Sequence, residues 1–131
     1  MFDSQIRILV VEDMMTMRKL VSKALKDIGF SQITEAADGA LGWETFSSAT
    51  PGFDLIISDW NMPVFTGLDF LKRVRADSRF KTTPFLLLTA KAEFAQFTAA
   101  LSAGASGHIV KPFTAAGLKD QIAKIGSRIA T

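Results

Sequence analysis

The sequence contains 131 residues, 48% of them hydrophobic, and carries a formal net charge of only +2, which suits one compact domain spanning residues 1–131. The absence of cysteine excludes disulfides and thiolate metal sites, and we expect a cytoplasmic protein. Its basic residues are scattered, which does not indicate nucleic-acid binding, and no apolar run reaches the roughly 20 residues that a membrane span requires.

Apolar runs of strand length alternate with helical patterns along the chain. In chain order, the predicted elements are strand 6–12, helix 15–28, strand 32–36, helix 39–48, strand 53–59, helix 67–76, strand 84–90, helix 92–103, strand 107–112 and helix 114–129. The first, third and fourth strands are nearly continuous in Val, Ile and Leu, as is typical of strands covered on both faces. The alternation predicts an α/β fold, doubly wound, with a parallel five-stranded sheet and right-handed crossovers.

Helix signals support these boundaries. The first helix carries an apolar stripe at the helical period and is followed by Gly29, which is expected to end it. Asp38 precedes the second helix, and Thr66 with Asp69 predicts a capping box for the third. The apolar stripe of the first helix consists of Met17, Leu20, Val21, Ala24, Leu25 and Ile28.

Polar residues of three kinds stand at the predicted strand ends. Ligands of open parallel sheets bind outside the carboxyl ends of the strands, so these side chains are expected to share one site. Two carboxylates about 4 Å apart repel by roughly 4 kcal/mol at an effective dielectric constant near 20, and three repel by more. The residues at the strand ends are Glu12, Asp13, Asp59, Thr89 and Lys111.

Such crowding of acids can be relieved in three ways: protonation of one acid, pairing with Lys111, or binding of a divalent cation. Oxygen ligands without sulfur favour a hard cation, and a few carboxylates together with water and phosphate suit Mg²⁺. A carboxylate at a metal site can also act as a nucleophile toward phosphorus, which would form an aspartyl phosphate. A site for Mg²⁺ and a phosphoryl group is therefore predicted.

The chain resembles the receiver domains of bacterial two-component response regulators, most closely the stand-alone chemotaxis type. The resemblance covers essentially all of the sequence and follows the motifs LVVED, TMRKLV, EAADG, SDWNMP, TGLDFL, LLLTA and GASGHIVKPF in order. It implies the flavodoxin-like receiver fold, with strand order 2-1-3-4-5 and five helices. It also implies a cis peptide bond between Lys111 and Pro112.

The resemblance further assigns roles to the site residues. Asp59 would accept a phosphoryl group from a histidine kinase. Asp13, Asp59 and the backbone carbonyl of Asn61 would bind Mg²⁺, and Glu12 would hold the ion through water. Lys111 would pair with the Asp59 carboxylate and later with the phosphoryl oxygens, and Thr89 would move to hydrogen-bond the phosphate.

A partner-binding surface is predicted from Phe97, His108 and the last helix. The family commonly has an aromatic residue where this chain has His108. Two interpretations of His108 stay open: it takes part in a modified switch, or it is a surface histidine without a coupling role. Lys91 stands where the family adjusts the phosphoryl lifetime. Trp60, next to the predicted phosphoacceptor, is expected to be partly exposed and to report metal binding by fluorescence.

These features predict a phosphorylation switch that acts on a protein partner, such as a component of the flagellar motor switch. We expect a monomer that assists only its own phosphorylation and dephosphorylation. A phosphorelay intermediate or a phosphate sink is the alternative, and a phosphorylation-independent scaffold is a weaker one. An aspartyl-phosphate phosphatase would need an acid at position 61, where this chain has asparagine. A flavodoxin-like electron carrier would not place two acids after its first strand.

Overall fold

The computed structural model describes residues 5–60, 62, 65–90, 97–111 and 113–130, with only the backbone described for residues 97–99 and 126–130. In that part of the chain the strands are β1 (Arg7–Val11), β2 (Gln32–Ala36), β3 (Leu55–Asp59), β4 (Phe85–Ala90) and β5 (Gly107–Lys111). The helices are α1 (Met15–Ile28), α2 (Gly39–Ser48), α3 (Gly67–Ala76), α4 (Phe97–Ala103) and α5 (Ala115–Ala130).

The five strands form one parallel sheet in the order β2-β1-β3-β4-β5. The predicted doubly wound α/β fold and its strand order 2-1-3-4-5 are therefore confirmed. The predicted strand bounds differ from the observed ones by no more than two residues at any described strand end. The start of the fourth predicted helix, at residue 92, lies outside the described residues, as does the bond between Lys111 and Pro112.

Successive residues along each strand point to opposite faces of the sheet, and each face is covered by its own apolar layer. This explains why the strands are continuously hydrophobic. Full burial of each large apolar side chain contributes about 1.5–3 kcal/mol. The layer toward α1 and α5 includes Ile8, Val10, Leu55, Ile57, Leu86, Leu88, Val21, Leu25, Leu118 and Ile122. The layer toward α2, α3 and α4 includes Leu9, Val11, Ile56, Phe85, Leu87, Phe46, Phe70, Leu71, Val74 and Ala100.

The predicted helix signals are present in the structure. The Asp38 side chain accepts a hydrogen bond from the amide of Leu41 at the start of α2. Thr66 and Asp69 form the predicted reciprocal capping box of α3. Gly29 follows α1 with a φ of 125°, a left-handed value that a residue with a Cβ rarely adopts. Local sequence chemistry therefore fixes where these helices begin and end.

Two expectations about side-chain burial are wrong. Leu20, placed in the apolar stripe of α1, is 50% exposed, because it lies at the edge of that stripe and lines an open groove with Met17 and Phe113. Trp60, expected to be partly exposed, is only 9% exposed, because it packs into the layer beneath α2, α3 and α4. No helix among the described residues is both long and apolar enough to cross a membrane.

Candidate functional site

Four strand ends bring the predicted polar residues together at one edge of the sheet. Glu12 and Asp13 directly follow β1, and Asp59 is the last residue of β3. The register pairs Asp59 with Leu88, the residue before Thr89, and pairs Ala90 with Lys111. Parallel pairing thus gathers residues from distant parts of the sequence at one edge.

Three carboxylates form a tight cluster at this edge. Each of Glu12, Asp13 and Asp59 offers an oxygen, and these oxygens all lie within 4.8 Å of one another. Glu12 is fully buried and Asp59 is 3% exposed. Since burial removes water that would otherwise screen the charges, the fold must compensate this repulsion locally.

Lys111 supplies part of that compensation. Its Nζ lies 2.6 Å from Asp59 Oδ1 and 3.4 Å from Glu12 Oε2. Burial by itself would lower the pKa of Lys111, but the hydrogen bond and the charge of Asp59, with the nearby Glu12, leave its pKa raised. The lysine is therefore held as a cation between two acids.

One cation does not neutralise three acids, and the proton affinities of the two buried acids reflect this. Burial, followed by the charge of Asp59, raises the pKa of Glu12 to about 7. Burial also raises the pKa of Asp59, against the opposing effect of its hydrogen bond with Lys111. A proton on Glu12 is consequently one way in which the site reduces its negative charge near neutral pH.

Thr89 contributes a hydroxyl that makes no hydrogen bond within the described part of the chain. Its side chain is buried, and Oγ1 has no hydrogen-bond partner among the described residues. Buried hydroxyls normally have a partner, and leaving one unsatisfied costs about 1–3 kcal/mol. A polar ligand at this edge of the sheet would satisfy the hydroxyl.

The backbone after Asp59 is held by close contact with α3. The amide of Trp60 donates to Leu88 O at 2.8 Å, and the amide of Gly67 donates to Trp60 O at 2.9 Å. A Cβ added at Gly67 would lie 2.2 Å from the carbonyl oxygen of Asp59. Sequence analysis did not identify Gly67 as part of the site, although a glycine directly after the capping Thr66 was the available signal.

The donor set fits a hard divalent cation. Three carboxylates supply oxygen ligands, and the described part of the site contains no sulfur or imidazole ligand, which is the chemistry that Mg²⁺ prefers. The raised pKa of Glu12 fits as well, because a cation would take the place of the proton. Asn61, predicted to supply a backbone carbonyl, lies outside the described residues.

The predicted partner surface is described only in part. His108 lies in β5 opposite Leu87, is partly buried, and has a pKa lowered by burial. Lys91 lies outside the described residues. Phe97 begins α4, but only its backbone is described. The contribution of these residues to partner binding stays a prediction.

A doubly wound sheet with acids, a hydroxyl and a lysine at its carboxyl edge places the chain among α/β proteins with a candidate cation site, and comparison with known proteins identifies the family. The family model described as the response regulator receiver domain matches residues 8–123 of the sequence. This chain therefore belongs to the response regulator receiver domain family. Receiver domains are signalling switches, and the assignment favours a switch over the phosphatase and the electron carrier considered above.

Individual relatives agree with this assignment. The chain is 45% identical to the chemotaxis protein CheY of Pseudomonas aeruginosa, over 94% of this chain and 98% of that protein. The crystallised chemotaxis protein CheY4 of Vibrio cholerae has a TM-score of 0.83 at 37% identity, covering 92% of this chain and 98% of that one. The receiver domain of a sensor histidine kinase from P. aeruginosa PAO1, solved with a magnesium ion in its active site cleft, has a TM-score of 0.80 at 28% identity, covering 93% and 98%.

Proposed function

We propose that this protein is a phosphorylation-activated chemotaxis response regulator in which Asp59 accepts a phosphoryl group from a histidine kinase. The observation that carries the proposal is the position of the Asp59 carboxylate, buried at the end of β3, within 4.8 Å of two other acids and 2.6 Å from Lys111 Nζ. All described strands join one sheet, which supports one receiver domain over residues 1–131.

The site would hold Mg²⁺ through Asp13, Asp59 and the carbonyl of Asn61, with Glu12 acting through water. Bound Mg²⁺ would neutralise charge on the transferring phosphoryl group. A magnesium ion is present in the cleft of the related kinase receiver domain, and the raised pKa of Glu12 supports a cation at the same place here.

The residues around Asp59 support a simple order of events. An Asp59 oxygen attacks phosphorus, the P–N bond of the phosphohistidine breaks, and the donor imidazole leaves with the electron pair of that bond. Lys111, now 2.6 Å from Asp59, exchanges its carboxylate contact for a phosphoryl oxygen. The unused Thr89 hydroxyl donates a hydrogen bond to another phosphoryl oxygen. Each new contact satisfies a group that the resting site leaves strained by charge or unpaired.

The phosphoacceptor is tested by intact-mass analysis after incubation with Mg²⁺ and acetyl phosphate. Wild type should gain one phosphoryl group, and Asp59→Asn should gain none. Asp54→Asn is the matched control, because Asp54 is an exposed aspartate just before the same strand. Its carboxylate accepts a hydrogen bond from the amide of Arg7, and an asparagine side chain can accept the same bond. Equal phosphorylation of wild type and Asp59→Asn would refute the assignment.

The output is proposed to be a protein contact with a partner such as a flagellar motor switch component, as the similarity to chemotaxis proteins suggests. Binding should strengthen when beryllofluoride, a phosphoryl mimic, is added with Mg²⁺. If His108 and Phe97 belong to the contact surface, His108→Phe and Phe97→Ala should each change the partner affinity but not the phosphorylation of Asp59. Transfer of the phosphoryl group onward to a second histidine protein would favour the phosphorelay alternative.

A further inference from the structure

Arg18 on α1 connects an outermost strand of the sheet, β2, to the backbone of the acidic site. Its Nε donates to Glu35 Oε1 at 3.1 Å, and its Nη1 donates to the carbonyl oxygen of Glu12 at 2.9 Å. The Arg18 side chain is only 15% exposed. A single planar guanidinium thus bridges β2 and the segment that leaves β1.

Glu35 provides a firm anchor for this bridge. Besides Arg18, its carboxylate accepts hydrogen bonds from Lys19 Nζ at 3.2 Å and from Ser22 Oγ at 3.0 Å. Burial alone would raise the pKa of Glu35, but these donors together leave it lowered. The acid therefore stays charged, and charge-assisted hydrogen bonds hold the guanidinium in a fixed orientation.

The peptide that Arg18 contacts carries two of the clustered acids. The amide of Glu12 donates to Ala36 O at 3.1 Å, and the Glu12 carboxylate accepts from the amide of Met14 at 3.1 Å. Met14 is also the N-cap residue of α1, and its side chain makes no capping hydrogen bond. The contact from Arg18 thus fixes the carbonyl of Glu12 at the point where the chain turns from β1 into α1.

We propose that Arg18 is a positioning residue for the metal site: through Glu35 it fixes the Glu12 carbonyl, and so sets the direction in which the Glu12 and Asp13 carboxylates leave the sheet. This inference rests on the proposed function, since it assumes that these acids bind Mg²⁺. Outer contacts that orient metal ligands commonly raise metal affinity by about 10–100-fold. Arg18 contacts the backbone of only one ligand-bearing segment, so we expect an effect near the lower end of that range.

The chain offers a matched control in Lys19. Lys19 neighbours Arg18, carries the same charge and pairs with the same acid, but it is 64% exposed, and within the described part of the chain its ammonium pairs with Glu35 and not with Glu12. Arg18→Gln and Lys19→Gln therefore change net charge equally and both remove a partner of Glu35. Arg18→Lys keeps the charge but loses the fork that spans two acceptors.

Mg²⁺ titration followed by two-dimensional NMR, at equal ionic strength, gives the dissociation constant of each variant. Arg18→Gln and Arg18→Lys should each bind Mg²⁺ about tenfold more weakly than wild type, and Lys19→Gln should stay within about twofold of wild type because the ligand segment is untouched. Amide hydrogen exchange at Met14 in the metal-free protein should be faster in both Arg18 variants and unchanged in Lys19→Gln.

The proposal would be overturned if Arg18→Lys bound Mg²⁺ with wild-type affinity, or if Lys19→Gln lost as much affinity as Arg18→Gln. Arg18→Lys also serves if Arg18→Gln does not fold. If wild type itself binds no Mg²⁺, the proposed function fails. The exchange measurement still tests Arg18 in that case, and unchanged Met14 exchange in its variants would overturn the positioning role independently.

Discussion

The raised pKa of Glu12 makes a quantitative prediction about folding stability. Folding raises this pKa from an ordinary value of 4.5 to about 7, which at 1.36 kcal/mol per pKa unit corresponds to roughly 3 kcal/mol. Between these two pH values, the folded protein keeps a proton that the unfolded chain has released. The contribution of Glu12 to the free energy of unfolding should therefore fall as pH rises from 4.5 to about 7, and then stay constant.

Glu12→Gln removes this titration and keeps a carbonyl oxygen that can accept from the Met14 amide. In metal-free buffer the variant should match wild type near pH 4.5 and exceed its stability by roughly 2–3 kcal/mol at pH 8, because the buried charge is gone. Urea denaturation at several pH values in EDTA measures the difference. Glu44→Gln, at an exposed position on α2, is the control and should leave the pH dependence of stability unchanged.

Magnesium should largely offset this advantage. At a concentration 100 times its dissociation constant, Mg²⁺ would stabilise wild type by about 2.7 kcal/mol, whereas Glu12→Gln lacks one of the charges that attract it. Parallel pH profiles of stability for wild type and Glu12→Gln in EDTA would refute the reasoning, because they would mean that ionisation of Glu12 does not destabilise the folded protein.

Three further substitutions test the site. Lys111→Met should lower the free energy of unfolding by about 3 kcal/mol at pH 8 and by less at pH 5, because protonation of the acids relieves their repulsion at the lower pH. Urea denaturation at both pH values measures this, and a loss of stability independent of pH would contradict the charge-based argument. Thr89→Val removes a buried hydroxyl that has no partner among the described residues, so the unphosphorylated variant should be as stable as wild type or up to about 1 kcal/mol more stable. A clear loss of stability in thermal denaturation would contradict this expectation. Gly67→Ala should lower the free energy of unfolding by about 2–3 kcal/mol and slow phosphorylation, because the added Cβ would lie 2.2 Å from the Asp59 carbonyl oxygen. The control Gly52→Ala, whose added Cβ has nothing within 4 Å, should have neither effect.

The fold could be predicted because its signals are local or periodic. Continuous apolar runs mark strands buried on both faces, and the capping box at Thr66 and Asp69 marks the start of α3. Once the strands are parallel, their polar ends must share one edge, so the placement of Glu12, Asp59 and Lys111 followed from the pattern. The strand order came only from the family resemblance.

What could not be predicted depends on packing between distant segments. The burial of Trp60 results from the way its side chain packs into the layer under α3, and the exposure of Leu20 results from its position at the rim of the α1 stripe. Gly67 and Arg18 were not recognised because their importance lies in contacts with Asp59 and Glu12, residues that spacing alone does not bring near them.

The parallel arrangement of the sheet has a consequence for newly made chains. Glu12 and Lys111 are separated by 99 positions, and Lys111 belongs to β5, which pairs at the sheet border with β4. During synthesis the first acids leave the ribosome long before the lysine that balances them. The site that gathers these acids with Lys111 can therefore form only after the last strand, β5, has paired with β4.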